Sequence, residues 1–158
     1  MTTHVCLVAR ALGAEGVYIA GQRDDELVRS VQKVVKAWGG PFWVDFTKKP
    51  LALINEWRQG NGKVVHLTMY GLPMAEVQGA LNVCKDLLIV IGGEKVPFEY
   101  YKSADFNVSI GSQPHSEVAA LAIFLDRLTA RSWEGATFKN AKLSITPSSR
   151  GKTVKQLE

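Results

Sequence analysis

Short apolar runs alternate with stretches of helical period along the first 131 residues, and this alternation restricts the possible folds more than any other feature of the chain. Runs that are apolar throughout, with no in-and-out alternation, mark strands buried on both faces. Such strands belong to a parallel sheet covered by helices. Strands are expected at Gly16 to Ala20, Phe42 to Phe46, Lys63 to Thr68, Leu87 to Ile91 and Phe106 to Ile110. The segments between them predict helices at Thr3 to Leu12, Asp25 to Trp38, Pro50 to Arg58, Pro73 to Cys84, Pro97 to Ser103 and Pro114 to Arg131. Four of these begin at proline, which is favoured at the first helical position because its missing N–H would be unpaired there anyway. Asp24 is placed to cap the second helix.

After Ser132 the pattern thins to one expected strand, Lys142 to Thr146, and a polar, glycine-containing tail. The expected fold is therefore an α/β domain, residues 1–158, with a mostly parallel sheet and helices on both faces. Residues 132–158 form a basic extension of the same domain. The last long helix carries Val118, Leu121, Ala122, Leu125 and Leu128 on one face, and Ala119, Ile123 and Phe124 widen its apolar surface. A helix so patterned is buried on more than one side.

Charge is unevenly spread. Residues 1–126 hold 12 Lys and Arg against 13 Asp and Glu, whereas residues 127–158 hold 7 against 2. Arg127, Arg131, Lys139, Lys142, Arg150, Lys152 and Lys155 make a basic C-terminal stripe suited to a phosphate backbone, or simply to solvation. Cys6 and Cys84 lie far apart with no Cys or His at ligand spacing, which argues against a disulfide framework or a metal site. No signal peptide or membrane-length apolar span is present, so a reduced, cytoplasmic protein is expected.

Ligands of parallel sheets collect at the carboxyl ends of the strands. Three loops there share an unusual composition: Leu67-Thr68-Met69-Tyr70-Gly71-Leu72-Pro73, Gly92-Gly93-Glu94-Lys95-Val96-Pro97 and Ile110-Gly111-Ser112-Gln113-Pro114-His115-Ser116-Glu117. Each leaves an apolar strand, contains glycine, and enters a helix through proline. Glycine lets a backbone approach a ligand closely, and proline fixes the turn that follows. No Lys-Ser/Thr follows a glycine at P-loop spacing, and no Gly-x-Gly-x-x-Gly opens a helix. A nucleoside-like ligand held by backbone amides and carbonyls remains.

At these residues the chain resembles the archaeal tRNA cytidine 56 2′-O-methyltransferases, a branch of the SPOUT superfamily. The resemblance runs from Thr2-Thr3-His4-Val5 and Ala9-Arg10-Ala11, through Trp38-Gly39-Gly40-Pro41-Phe42 and His66-Leu67-Thr68-Met69-Tyr70-Gly71, to the stretch from Ile110 to Leu128. Its most specific string is Gln113-Pro114-His115-Ser116-Glu117-Val118-Ala119-Ala120-Leu121-Ala122. The resemblance implies a C-terminal trefoil knot, a homodimer packed through the knot helices, and tRNA as substrate, methylated in its T-loop. It further implies S-adenosylmethionine as cofactor, held by Leu67, by Gly92, Gly93, Glu94, Lys95 and Val96, and by Ile110, Gly111, Ser112, Gln113, Pro114, His115, Ser116 and Glu117.

Arg10, Glu94, His115 and Ser116 are the candidates for acid–base and orienting roles in moving a methyl group to a ribose hydroxyl. Arg10 is the candidate phosphate clamp or activating cation. His4 and His66 are read as structural, and no metal is expected. Many SPOUT ribose methyltransferases carry Ser-Leu-Asn in the third loop where this chain has Gln113-Pro114-His115, so roles from the wider superfamily do not transfer to it. In the resembling family a strand and an arginine-rich segment usually precede the Thr-Thr-His stretch. A chain without them would leave an unpaired strand at the edge of its sheet, and the alternative function is then RNA binding without catalysis.

Overall fold

In the computed structural model, which describes residues 2–93 and 95–157, the elements follow the predicted order. Helix α1 (Thr2–Ala11) leads into β1 (Gly16–Ala20), followed by α2 (Asp25–Trp38), β2 (Trp43–Thr47) and α3 (Pro50–Gln59). Next come β3 (Lys63–Pro73), α4 (Met74–Asn82), β4 (Leu87–Val90), α5 (Phe98–Ser103), β5 (Phe106–Ser109) and α6 (Glu117–Leu128). A 3₁₀ turn (Ser132–Gly135), β6 (Leu143–Thr146) and β7 (Thr153–Gln156) close the chain. Asp24 caps α2 as its position predicts, its carboxylate accepting from the N–H groups of Glu26 and Leu27 at 3.0 Å.

The strands up to β5 pair in parallel, in two ladders: β1 with β2, and β4-β3-β5 with β3 in the middle. One continuous sheet was expected. Instead β1 and β4 each leave one edge unpaired and face each other across a cavity of about 1120 Å³. Both unpaired edges line this open cleft, and the residues of β1 and β4 are at most half-buried. Helices cover both faces of the β3 ladder. Val65 and Leu67 pack with Met74 and Leu81 of α4 and with Leu121, Phe124 and Leu125 of α6, in a core that also takes Cys6 and Ala9 of α1. Side chains alternate along a strand, so Val64 and His66 face the other way, where α3 and α5 lie.

Two helix starts differ from the proline rule. Pro73 and Pro97 are cap residues with extended ψ, one position outside their helices. Helix α6 begins three residues beyond Pro114, because Ser116 provides the cap, its hydroxyl accepting from Val118 N–H at 3.2 Å. It also ends early, where Ala130 and Arg131 take φ of 48° and 62° and turn the chain. Of its apolar surface, Leu121, Phe124 and Leu125 are buried, but Ala119 and Ile123 are exposed, Ile123 by 41%.

The tail after the one expected strand carries a further strand, β7. β7 pairs antiparallel with β6, joining Ile145 to Val154 and Ser144 to Lys155 in register. The hairpin is anchored on the turn after α2: Lys142 N–H donates to Ala37 O at 3.0 Å, and Gly40 N–H to Lys139 O at 2.9 Å. Gly39, at φ 77°, lies so close that a Cβ there would meet Lys139 O at 2.5 Å, which explains a Gly-Gly turn at this point.

Candidate active site

Because β4, β3 and β5 are neighbours and parallel, the three glycine loops leave the same edge of the sheet side by side, the second loop flanking the first on one side and the third on the other. The first loop is a bulge. β3 pairs with β5 up to Leu67, opposite Val108, leaves the ladder over Thr68, Met69, Tyr70 and Gly71, and rejoins it at Leu72, again opposite Val108. Gly71 lies directly on the β5 backbone, where a Cβ would come within 2.5 Å of Asn107 C and Val108 N. Tyr70 is thrown outward and is 77% exposed.

In the second loop Gly92 packs against Val96, and a Cβ on it would meet Val96 Cγ2. Gly93 has open space at its α-carbon. Glu94, a candidate for both cofactor binding and catalysis, lies outside the described residues. In the third loop Gly111 has φ 75° and open space beside it, so the chain turns there at a position that a side chain would strain. His115 clasps this loop, its Nε2 2.5 Å from Ile110 O and its Nδ1 3.1 Å from Ser116 O. Both oxygens are acceptors, so a neutral His115 ring can donate to only one of them. Ser112, Gln113 and Pro114, between these points, are exposed, as are Lys95, His115 and Ser116.

Arg10 is buried, with 6% exposure. Its Nη2 donates to Gly39 O at 2.5 Å and its guanidinium lies 4.6 Å from the centre of the Phe138 ring. Its Nε is buried with no partner among the described residues, and burial lowers its pKa. None of its described hydrogen bonds reaches the three loops. Arg10 thus joins α1 to the α2–β2 turn and to the C-terminal segment.

A second buried polar group stands directly under the loops. His66, 1% exposed, has its Nδ1 2.9 Å from Asn107 Oδ1, and Asn107 Nδ2 donates to Tyr101 O at 2.9 Å. With the amide so placed, Oδ1 accepts from His66 Nδ1–H, and Nε2 is left buried without a partner among the described residues. Tyr101 packs its ring edge against His66 at 4.7 Å, and its hydroxyl lies 3.2 Å from Thr68 Oγ1. Burial holds the His66 imidazole below its ordinary pKa, opposed in part by the bond to Asn107. The group connects the root of the first loop (Thr68), the helix after the second (Tyr101) and the strand before the third (Asn107). No sequence signal marks it, since His66 is one polar residue inside an apolar run and Asn107 and Tyr101 are remote from it in sequence. Among the described residues no His, Cys, Asp and Glu groups stand where they could hold a metal ion, and no helix is long and apolar enough to cross a membrane.

Residues 38–155, which contain all three loops, match the family described as tRNA ribose 2′-O-methyltransferase, aTrm56. The chain belongs to that family. It is 49% identical over 157 residues to the tRNA (cytidine(56)-2′-O)-methyltransferase of Methanopyrus kandleri, covering 99% of this chain and 88% of that relative. The enzyme of the same description from Thermococcus kodakarensis is 50% identical, with 100% and 89% covered, and that of Saccharolobus solfataricus 48%, with 98% of both covered.

Among solved structures, the TrmH/SpoU tRNA modifying enzyme of A. aeolicus superposes with a TM-score of 0.61 at 14% identity, over 84% of this chain and 69% of that one. The SpoU methyltransferase AviRb from Streptomyces viridochromogenes, in complex with the cofactor AdoMet, gives 0.58 at 16% identity, over 85% and 54%. An RNA 2′-O ribose methyltransferase gives 0.58 at 20% identity, over 82% of this chain and half of its own. At these identities the likeness is one of fold: this chain shares with those proteins an α/β arrangement with mostly parallel strands.

Proposed function

We propose that the three loops hold S-adenosylmethionine and that the protein methylates the ribose 2′-hydroxyl of cytidine 56 in the T-loop of tRNA. The observation that carries this reading is the adjacency of β4, β3 and β5, whose glycine loops leave one sheet edge together. The residues present fit such a group. Gly93 and Gly111 leave open space at their α-carbons, so peptide groups of two loops are accessible to a nucleoside. Leu67, buried in the core, fixes the root of the first loop where the chain leaves β3. In this reading the cofactor contacts are Leu67, the stretch 92–96 and the stretch 110–117.

When bound, S-adenosylmethionine supplies a methyl group on a sulfonium, an electrophile that needs no metal. The chain's part is to align the ribose hydroxyl, to exclude water and to take the hydroxyl proton. His115 and Ser116 hold the third loop in shape through Ile110 O and Val118 N–H, and with Glu94 they are the candidate proton acceptors. Arg10, the candidate cation, is buried on Gly39 O and Phe138, so in this reading it orders α1 beside the site and does not itself meet a phosphate. The basic hairpin and Arg127 and Arg131 would receive the tRNA backbone.

We further read the chain as one domain, with residues 132–158 its basic extension, knotted by passage of α6 through the preceding loops. A homodimer would cover the exposed Ala119 and Ile123 side of α6. Such a protein works on tRNA in the cytoplasm. Calorimetric titration with S-adenosylmethionine tests the pocket. Saturable binding that Gly93→Ala or Gly111→Ala weakens is expected, and absence of binding refutes the assignment of these loops.

A further inference from the structure

Two large aromatic side chains stand out of the surface at the edge where the glycine loops leave the sheet. Tyr70, in the bulge of β3, is 77% exposed, and Phe98, which opens α5 directly after the second loop, is 65% exposed. Apolar residues exposed singly are common on protein surfaces and need no explanation. These two are different, because one bonded group carries both. Thr68 Oγ1 accepts from Tyr70 N–H at 3.4 Å and lies 3.2 Å from the Tyr101 hydroxyl. The Tyr101 ring in turn stacks on Phe98, with centroids 6.1 Å apart and planes 27° from parallel.

The support beneath them is buried. Tyr101 packs edge-on against His66, and Asn107 of β5 donates to the Tyr101 carbonyl. Gly71, the neighbour of Tyr70, lies on the β5 backbone and fixes where the bulge turns. Rings held in place beforehand lose little freedom when a ligand stacks on them. Lys102 lies along Phe98, its Nζ 5.0 Å from the ring centre, and Lys95 is exposed in the loop just before it. Ring faces beside ammonium groups match a nucleotide, whose base stacks while its phosphate meets a cation. Exposed Lys95, Glu99 and Lys102 also interrupt any continuous apolar patch around Phe98, which argues against a lipid surface or an apolar protein partner.

We propose that Tyr70 and Phe98 form a stacking shelf for unpaired bases of the substrate RNA, beside the ribose that is methylated. The proposal rests on the reading of the three loops as the cofactor site, since the shelf borders the first and second of them. A methyl donor fixed in these loops reaches one 2′-hydroxyl only if that nucleotide is held in line, and stacking holds a nucleotide by its base without competing for the hydroxyl. Stacking tolerates any base, because every base has a π-face. The shelf therefore sets the position of the strand, and recognition of cytidine falls to other groups.

The test compares Tyr70→Ala and Phe98→Ala with the ring-keeping Tyr70→Phe and Phe98→Tyr and with the parent protein. Each is titrated with a fluorescently labelled tRNA transcript by anisotropy, titrated with S-adenosylmethionine, and assayed for methyl transfer. Each alanine variant should weaken tRNA binding by about fivefold or more, the loss expected for one stacked base. KM for tRNA should rise in proportion, while affinity for S-adenosylmethionine stays at the parent value. The slope of log affinity against log salt should also stay, because no phosphate contact is removed. The ring-keeping variants should bind as the parent does. Parent-level tRNA affinity in both alanine variants overturns the proposal, as does an equal loss in the ring-keeping variants. A fall in cofactor affinity would put the rings in the cofactor pocket, and a parent dimer that Phe98→Ala splits in sedimentation would put Phe98 between two copies; either result overturns it. A parent protein that binds tRNA but transfers no methyl group sinks the functional reading alone, and the anisotropy titration still decides the shelf. A parent that binds no tRNA overturns both.

Discussion

Gly71→Ala tests whether the bulge in β3 is shaped by contact with β5. The added carbon would lie 2.5 Å from Asn107 C and Val108 N and 2.6 Å from Asn107 O. Carbon atoms pack best at about 3.5–4.0 Å, so the two backbones must part by about 1 Å. The atoms met belong to a central ladder and cannot rotate away as a flexible side chain would. Overpacking of this kind costs about 1–3 kcal/mol. For a domain of this size that is a fall in melting temperature of about 2–12 °C. Moving the bulge also moves Leu67 and Thr68 at the root of the first loop, so cofactor affinity should fall with stability.

The matched control is Gly79→Ala on the exposed side of α4, where nothing lies within 4 Å of the new carbon. Helix propensity there favours alanine by about 1 kcal/mol, so the control should melt higher. Both variants are followed by thermal and urea unfolding and by titration with S-adenosylmethionine. If Gly71→Ala melts with the parent protein and binds cofactor equally well, the close approach of β3 and β5 is not what shapes the site.

Further outcomes follow from the buried polar groups and the charged tail. Burial lowers the His66 pKa below its usual value of about 6.5, so on acidification the unfolded chain takes the proton first. Stability should therefore fall as the pH drops below about 6.5 towards the folded value, and should not change through this group above it. Comparison of denaturant midpoints with those of His66→Phe isolates the slope, and identical profiles contradict the assignment. Arg10→Ala removes the donor to Gly39 O and the contact with Phe138, which should cost about 1–3 kcal/mol in urea unfolding. An unchanged midpoint would show that this contact holds nothing. Replacing Arg150, Lys152 and Lys155 by Ala should weaken tRNA binding and reduce the slope of log affinity against log salt by about 2–3. An unaltered slope excludes the hairpin from the interface. Ile123→Lys should yield monomers in sedimentation if α6 packs against a second copy, and a persisting dimer places the interface elsewhere.

The order of helices and strands was legible because each apolar run up to Ile110 has one period and one length, and Asp24 caps where its position predicts. The bounds of α6 were not, because Pro114 and Ser116 both signal a start and only the hydrogen bond to Val118 N–H decides between them. β7 was hidden by polarity: Thr153 to Gln156 are all exposed and pair only through β6, a contact that local pattern does not register. The three loops could be read from their glycines and prolines, but not the bulge that returns Leu72 to Val108, since register is a property of two strands. Arg10 was visible as a candidate cation, while its burial under Phe138 depends on a residue 128 positions away in sequence. His66, Asn107 and Tyr101 meet only in the folded chain. The division of the sheet into two ladders was equally out of reach, because the apolar runs of β1 and β4 read as fully covered strands.

The central claim is that this protein places a methyl group on one ribose. The direct measurement is mass mapping of a tRNA transcript after incubation with the protein and isotope-labelled S-adenosylmethionine. The account predicts a single labelled methyl on the ribose of cytidine 56, resistant to alkaline cleavage at that position. A label on the base, a label at another nucleotide, or an unmodified T-loop in the presence of saturating cofactor would contradict it.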